Sequence, residues 1–253
     1  MNEFIKIMGI KIDKITMEGA LNRVEEFLNG EATKTIYTPN TEIIMNAQKD
    51  NKFKQVLNEG DLVVPDGIGL IYASRIKKHP LPERVTGFDI SMGIINIAHT
   101  RRLKLFLLGG EEGVADIAAK KIKDNYDNIL ISGTNNGYFK GVHTGYESHK
   151  EEMDIIDKIN DGDTDILFVG LGAEKQEKWI HKNKDKLKCK IIIGNGGTID
   201  VLAGKVKRAP DIYQRLGLEW LYRLVKEPKR LKRQTVLPLF MLKILFSSKD
   251  IVE

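Results

Sequence analysis

At 253 residues, 42% hydrophobic and 30% charged, the chain carries enough apolar material for one large core, or a core plus a small appendage, and is a poor match to a disordered protein. Its single cysteine, Cys189, excludes an internal disulfide, and its place in an apolar run reads as a buried strand thiol rather than a nucleophile. The formal charge of +5 is uneven: residues 205–233 hold ten Lys/Arg against three Asp/Glu, a patch that suits nucleic acid, anionic lipid or a diphosphate.

The opening MNEFIKIMGIKID alternates apolar and polar residues, which reads as a strand and not as a secretory signal, so a cytoplasmic protein is expected. Apolar runs bounded by glycine then alternate with amphipathic stretches, the pattern of an α/β protein with a mainly parallel sheet. Strands are predicted near residues 4–7, 35–38, 62–64, 103–108, 129–132, 166–169 and 190–193, with helices between them. Thr16 is the predicted cap of a helix ending before Gly30, Asp50 of one ending before Gly60, and Asp89 of one running to about Thr100. After Pro210 the strand signals stop. The remainder reads as helix to Lys226, a break at Pro228 and a second helix to about Phe246, dividing the chain into an α/β core (1–209) and a basic, apolar helical appendage (210–253). Residues 236–246 are apolar apart from Lys243 and Pro238, yet far short of the ~20 residues that cross a bilayer. With basic residues, Trp220 and Tyr222 before them, they read as a segment lying in a membrane interface; docking on the core or on another subunit is the alternative.

Ligands of an open parallel sheet collect beyond the carboxyl ends of its strands, so the residues after each strand are the candidates. Thr38-Pro39-Asn40 offers a hydroxyl and an amide, or simply helix caps. Pro65-Asp66-Gly67 puts a carboxylate on a tight turn, making Asp66 a candidate general base, with a helix cap as the plain alternative. Gly109 and Gly110 lead into a helix N-terminus that can cradle a diphosphate, although Glu111 and Glu112 oppose an anion there. Gly172 precedes Gln176, which can hydrogen-bond a sugar or phosphate, and Gly196-Gly197 precedes Asp200, which can accept from a ribose or base. Three glycine-bearing strand ends together point to a nucleotide more strongly than any one does, with ordinary turns as the plain alternative.

Asp161-Gly162-Asp163 has the form of a metal-binding Asp-x-Asp site, but it precedes a strand and reads as a solvated turn at the amino edge of the sheet. The five histidines show no paired ligand spacing, so no metal is expected. Arginines would then have to neutralise a leaving diphosphate; candidates are Arg84 in PERVTG and, in the appendage, Arg223, Arg230 and Arg233.

The segments TPN (38–40), PDG (65–67), PERVTG (82–87), NGYF (136–139), GLGAEKQEKW and GKVKRAP through LGLEWLYRLVKEPKR, in this order, strongly resemble the WecG/TagA/CpsF glycosyltransferase family over nearly the whole chain. The resemblance implies a Rossmann-like core and inverting, metal-free transfer, with no cofactor. Its closest branch moves N-acetylmannosamine from UDP-ManNAc to undecaprenyl-diphosphate-GlcNAc in wall teichoic acid linkage-unit synthesis; N-acetylmannosaminuronic acid or a hexose are the alternative donors. It implies Asp66 as general base, Thr38 and Asn40 positioning the sugars, and Arg84 holding phosphate. Tyr138, Gln176 and Asp200 would surround the nucleotide-sugar, with the glycines allowing close approach, and Arg223, Arg230 and Arg233 would stabilise the leaving UDP. The partners implied are a UDP-sugar, a polyprenyl-diphosphate-linked acceptor and an anionic membrane surface on the inner face of the cell membrane; a homo-oligomer fits the apolar tail. Residues 141–150 read as a polar loop insertion without an assigned function. Two rival classes find little support. A nucleic-acid-binding protein would show a recognised module, and a dinucleotide oxidoreductase a ribose-binding acid.

Overall fold

The computed structural model describes residues 3–226, 235–247 and 251–252. An antiparallel hairpin, β1 (Phe4–Ile7) and β2 (Ile10–Asp13), turns through Met8 and Gly9, both at positive φ (53° and 76°). The sequence-based expectation stops at β1, because Met-Gly lacks the Asn-Gly or Asp-Gly signal of such turns. The main sheet is wholly parallel, in the order β4-β3-β8-β7-β5-β6. Its strands are β3 (Lys34–Tyr37), β4 (Leu62–Val63), β5 (Lys104–Gly109), β6 (Leu130–Asn135), β7 (Ile166–Gly170) and β8 (Ile191–Gly194).

Alternation along each strand divides the core in two. Ile36, Leu105, Leu107, Ile166, Phe168, Ile191 and Ile193 face a layer made by α1 (Met17–Asn29), α5 (Gly87–Arg101), α6 (Val114–Asn125) and α9 (Thr198–Leu202). Tyr37, Phe106, Leu108, Leu167, Val169 and Ile192 face the other layer. That layer holds α2 (Thr41–Ala47), α3 (Asn51–Asn58), α4 (Ile68–Ile76), α7 (Lys150–Asp161), α8 (Lys175–Asn183) and the hairpin. Being covered on both faces, the central strands β5, β7 and β8 read as near-continuous apolar runs. Cys189 is buried just before β8, and burial pushes its thiol up to about 12, far from a reactive thiolate.

Thr16 and Asp50 cap α1 and α3 as the sequence predicts. For α5 the cap is Thr86, not Asp89: the Thr86 hydroxyl accepts the Asp89 N–H (3.0 Å), and the helix starts three residues earlier than expected. The Asp89 carboxylate instead takes Thr86 Oγ1 and both terminal nitrogens of Arg208, tying down the chain that leaves the core.

The stretch after Pro210, expected as one helix to Lys226, is two: α10 (Asp211–Arg215) and α11 (Glu219–Lys226). Gly217 breaks it at φ 69°, with so close an approach to Ile68 that a Cβ would lie 2.7 Å from Ile68 Cγ1. Helix α12 (Val236–Phe246) packs on α2 and α4 with Phe240 and Ile244 fully buried, while Leu239, Leu242, Leu245 and Phe246 are exposed. Val252 then bridges to Ile7. Among the described residues no helix is long and apolar enough to cross a membrane.

Candidate active site

The chain steps outward from β3 to β4, crosses to β5, steps outward the other way to β6 and returns through β7 and β8. Such a reversal opens a crevice above the carboxyl ends of the central strands. A cleft of about 1050 Å³ lies there, and all five predicted strand-end junctions contribute to it.

Thr38 is buried at the end of β3 and donates its hydroxyl to Gly194 O of β8 (3.1 Å), fastening two junctions together. Gly87 packs on this threonine; a Cβ there would sit 3.0 Å from Thr38 Oγ1. Asn40 caps α2 through Oδ1, which accepts from Glu42 N and Ile43 N (3.0 and 3.1 Å), and the residue lines the cleft.

Asp66 is half-buried on the cleft wall. Its N–H donates to Pro39 O (3.3 Å), and Val85 N donates to Pro65 O (3.0 Å), so the turn is clamped between the 38–40 and 84–86 segments. Gly67 closes the approach, since a Cβ would lie 3.2 Å from Asn40 Cα. Gly67 is the N-cap of α4 and, as a glycine, brings no side chain to that cap. Arg84 Nη2 donates to Glu219 Oε2 at the start of α11 (2.9 Å) in a largely buried pair that fastens the C-terminal helices to the cleft.

At the glycine junctions Gly110 lines the cleft, but Gly109 does not. Gly109 packs against β7, where a Cβ would be 2.5 Å from Gly170 O, and so serves close strand approach rather than a ligand. Glu111, the acid that argued against an anion here, is paired with Lys205 (2.7 Å). Gly172 (φ 87°) and Gly196 (φ 43°) hold left-handed turns on the cleft wall, with Gly197 beside them. Gln176 is buried at the foot of the cleft, its Oε1 accepting Gly196 N (3.0 Å). Asp200 approaches Gly110 from α9 and also lines the cleft.

Residues 137–151 form the outer wall. The insertion folds into a 3-10 turn (Val142–Thr144) and reaches the cleft through His143 and Tyr146, beside the highly exposed ring of Tyr138 (77%). Sequence reasoning also passed over Lys175, Lys205 and Trp220, which line the cleft. The two lysines flank Gln176 and open the GKVKRAP segment, so their motifs were the available signal. Of the predicted arginines, Arg223 lies on α11 by its backbone; its side chain, and Arg230 and Arg233 entirely, fall outside the described residues. The Asp161-Gly162-Asp163 turn precedes β7 at the amino edge, where Asp163 pairs with Lys104 (3.3 Å), remote in the fold from the cleft.

A family model described as the glycosyl transferase WecG/TagA/CpsF family matches residues 5–251. The chain is 31% identical over 249 residues to N-acetylglucosaminyldiphosphoundecaprenol N-acetyl-beta-D-mannosaminyltransferases of Staphylococcus aureus strains MRSA252 and MW2, covering 98% of this chain and 94% of each relative.

Proposed function

The chain belongs to the WecG/TagA/CpsF glycosyltransferase family, and from that premise we propose that it transfers N-acetylmannosamine from UDP-ManNAc to undecaprenyl-diphosphate-GlcNAc with inversion and without a metal. The observation that carries this reading is the half-buried Asp66, a carboxylate on the wall of a cleft that also gathers Thr38, Asn40, Gln176 and Asp200. Asp66 takes the proton of an acceptor hydroxyl as that oxygen attacks the anomeric carbon. The bond from that carbon to the β-phosphate oxygen breaks, and its electron pair leaves with UDP. Thr38 and Asn40 orient the sugars. Tyr138, Gln176, Asp200 and the glycine turns hold the nucleotide-sugar, while Arg84, Arg223, Arg230 and Arg233 balance the charge on the leaving diphosphate. Arg84 lines the cleft and would exchange its Glu219 partner for a phosphate oxygen in that task.

The acceptor's lipid lies in a bilayer, and the exposed side of α12 (Leu239, Leu242, Leu245 and Phe246) supports peripheral binding at the inner membrane surface. Phe246→Lys with Leu242→Lys should weaken co-sedimentation with anionic vesicles without changing secondary structure. Unchanged vesicle binding, with a shift in mass by light scattering, would assign that face to self-association instead.

The deciding experiment is transfer from UDP-ManNAc to a lipid-diphosphate-GlcNAc analogue in the presence of EDTA, for wild type and Asp66→Asn. Turnover that survives EDTA and collapses in the variant supports donor, mechanism and base together. Turnover with only another UDP-sugar, such as an N-acetylmannosaminuronic acid or hexose donor, overturns the substrate and keeps the family. Loss of wild-type activity in EDTA overturns the metal-free step.

A further inference from the structure

Helix α8 is polar on its buried side: Gln176, Glu177 and Asn183 lie inside with Trp179 and Ile180. Glu177 is 1% exposed, and both carboxylate oxygens are occupied. Oε1 accepts from Gln176 Nε2 (2.8 Å) and Oε2 from Glu174 N (2.7 Å). Among the described residues no lysine or arginine pairs with it; neighbouring Lys178 is held by Asp50 and Glu174. A carboxylate inside a core without a cation is costly; its bond from Glu174 N–H closes a capping box at the start of α8, whereas its bond from Gln176 serves no helix end.

The hydrogen-bond directions explain its presence. Backbone N–H groups only donate, so Gly196 N–H requires the oxygen of the Gln176 amide, which turns the Gln176 NH₂ toward residue 177. Residue 177 must then accept from that NH₂ and from Glu174 N–H at once. An ionised carboxylate, the form that prevails above about pH 7 where the cycle below is run, accepts on both oxygens. A glutamine has one acceptor and one donor group and leaves two donors facing each other. Glu177 thereby links two loops of the cleft, the 170–174 turn, where Glu174 is held at φ 71°, and the 194–197 turn around Gly196.

We propose that Glu177, which does not itself line the cleft, is a positioning residue for the transfer reaction: its carboxylate sets the amide orientation of Gln176 and locks the two glycine loops in the register that receives the donor. This rests on the reading of Gln176 as a donor-binding residue.

The test is a double-mutant cycle on kcat and KM for the donor, using wild type, Glu177→Gln, Gln176→Ala and the double variant, with whichever UDP-sugar the wild type turns over. Failure of the N-acetylmannosamine assignment therefore leaves the cycle intact. Glu177→Gln is expected to lower kcat/KM for the donor by roughly 10–100-fold while leaving the acceptor KM unchanged. The double variant should be no worse than Gln176→Ala within about twofold. Multiplying losses, or a loss in Glu177→Gln beside an unaffected Gln176→Ala, would overturn the proposal. Glu177→Asp keeps two acceptor oxygens on a shorter arm, and should recover part of the activity; it takes the place of Glu177→Gln in the cycle should the latter fail to fold.

Discussion

The two ends of the parallel sheet use the same residue types for opposite purposes. At the amino end Asp61 accepts from Thr35 N and Lys34 Nζ, and Asp165 from Lys104 N, so these carboxylates fasten the first residues of β3 and β5. Asp161, the last residue of α7, and Asp163, on the turn after it, are exposed. At the carboxyl end Asp66 and Asp200 face a cleft, and Glu177 sits behind it without a cation. At the amino end carboxylates bind strand N–H groups and a lysine, whereas at the carboxyl end, where Glu111 is also paired with a lysine, the glycine turns leave backbone groups and space for a ligand beside Asp66 and Asp200.

That comparison is broken first by Asp66→Asn, which should lower turnover by about 10³-fold with the melting temperature nearly unchanged; retention of activity would remove the chemical distinction between the ends. Next is a contrast in pH dependence. Burial raises the Glu177 carboxyl from 4.5 to about 7, against the bonds from Gln176 and Glu174, with Glu174 and the Tyr37 phenol as the titratable groups facing it. Between those values the folded chain holds a proton that the unfolded chain has lost. Stability should therefore fall as pH rises across that window, by up to ~3 kcal/mol, and Glu177→Gln should abolish the fall in denaturant titrations. Asp61 has the reverse sign. Burial would raise it, but Lys34 and Thr35 outweigh that and hold it below its ordinary 3.8. Its contribution is complete above that value and lost as pH falls through the lowered one. Asp61→Ala should cost about 1–3 kcal/mol at neutral pH with kcat unchanged. Asp163→Asn should be the quietest: the residue is exposed at φ 48°, where asparagine is at ease, so turnover should stay within about twofold of wild type.

Much of this was legible in the sequence, and unevenly. Seven strands, the caps Thr16 and Asp50 and the position of Asp66 at a strand end follow from local signals: apolar runs, capping side chains and a Pro-Asp-Gly turn. The misses share one cause. The Met8-Gly9 turn is held by pairing of β1 with β2, Thr86 outcompetes Asp89 as a cap while Asp89 is drawn to Arg208, and Gly109 answers to a neighbouring strand rather than a ligand. Glu177 showed itself only as a charge on a helix whose buried face includes Trp179 and Ile180, a pattern that gives no hint of its partners.

The amino-acid sequence by itself determined the alternation of strands and helices, the doubly covered parallel sheet and the family, because period, turn chemistry and motif order are properties of neighbouring residues. Tertiary structure alone decided which junctions meet. Thr38 reaches Gly194 across 156 residues, and Arg84 reaches Glu219 across 135. It also decided that α12 buries one side on α2 and α4 while exposing the other, since strand order and helix docking depend on long-range packing that no local pattern encodes.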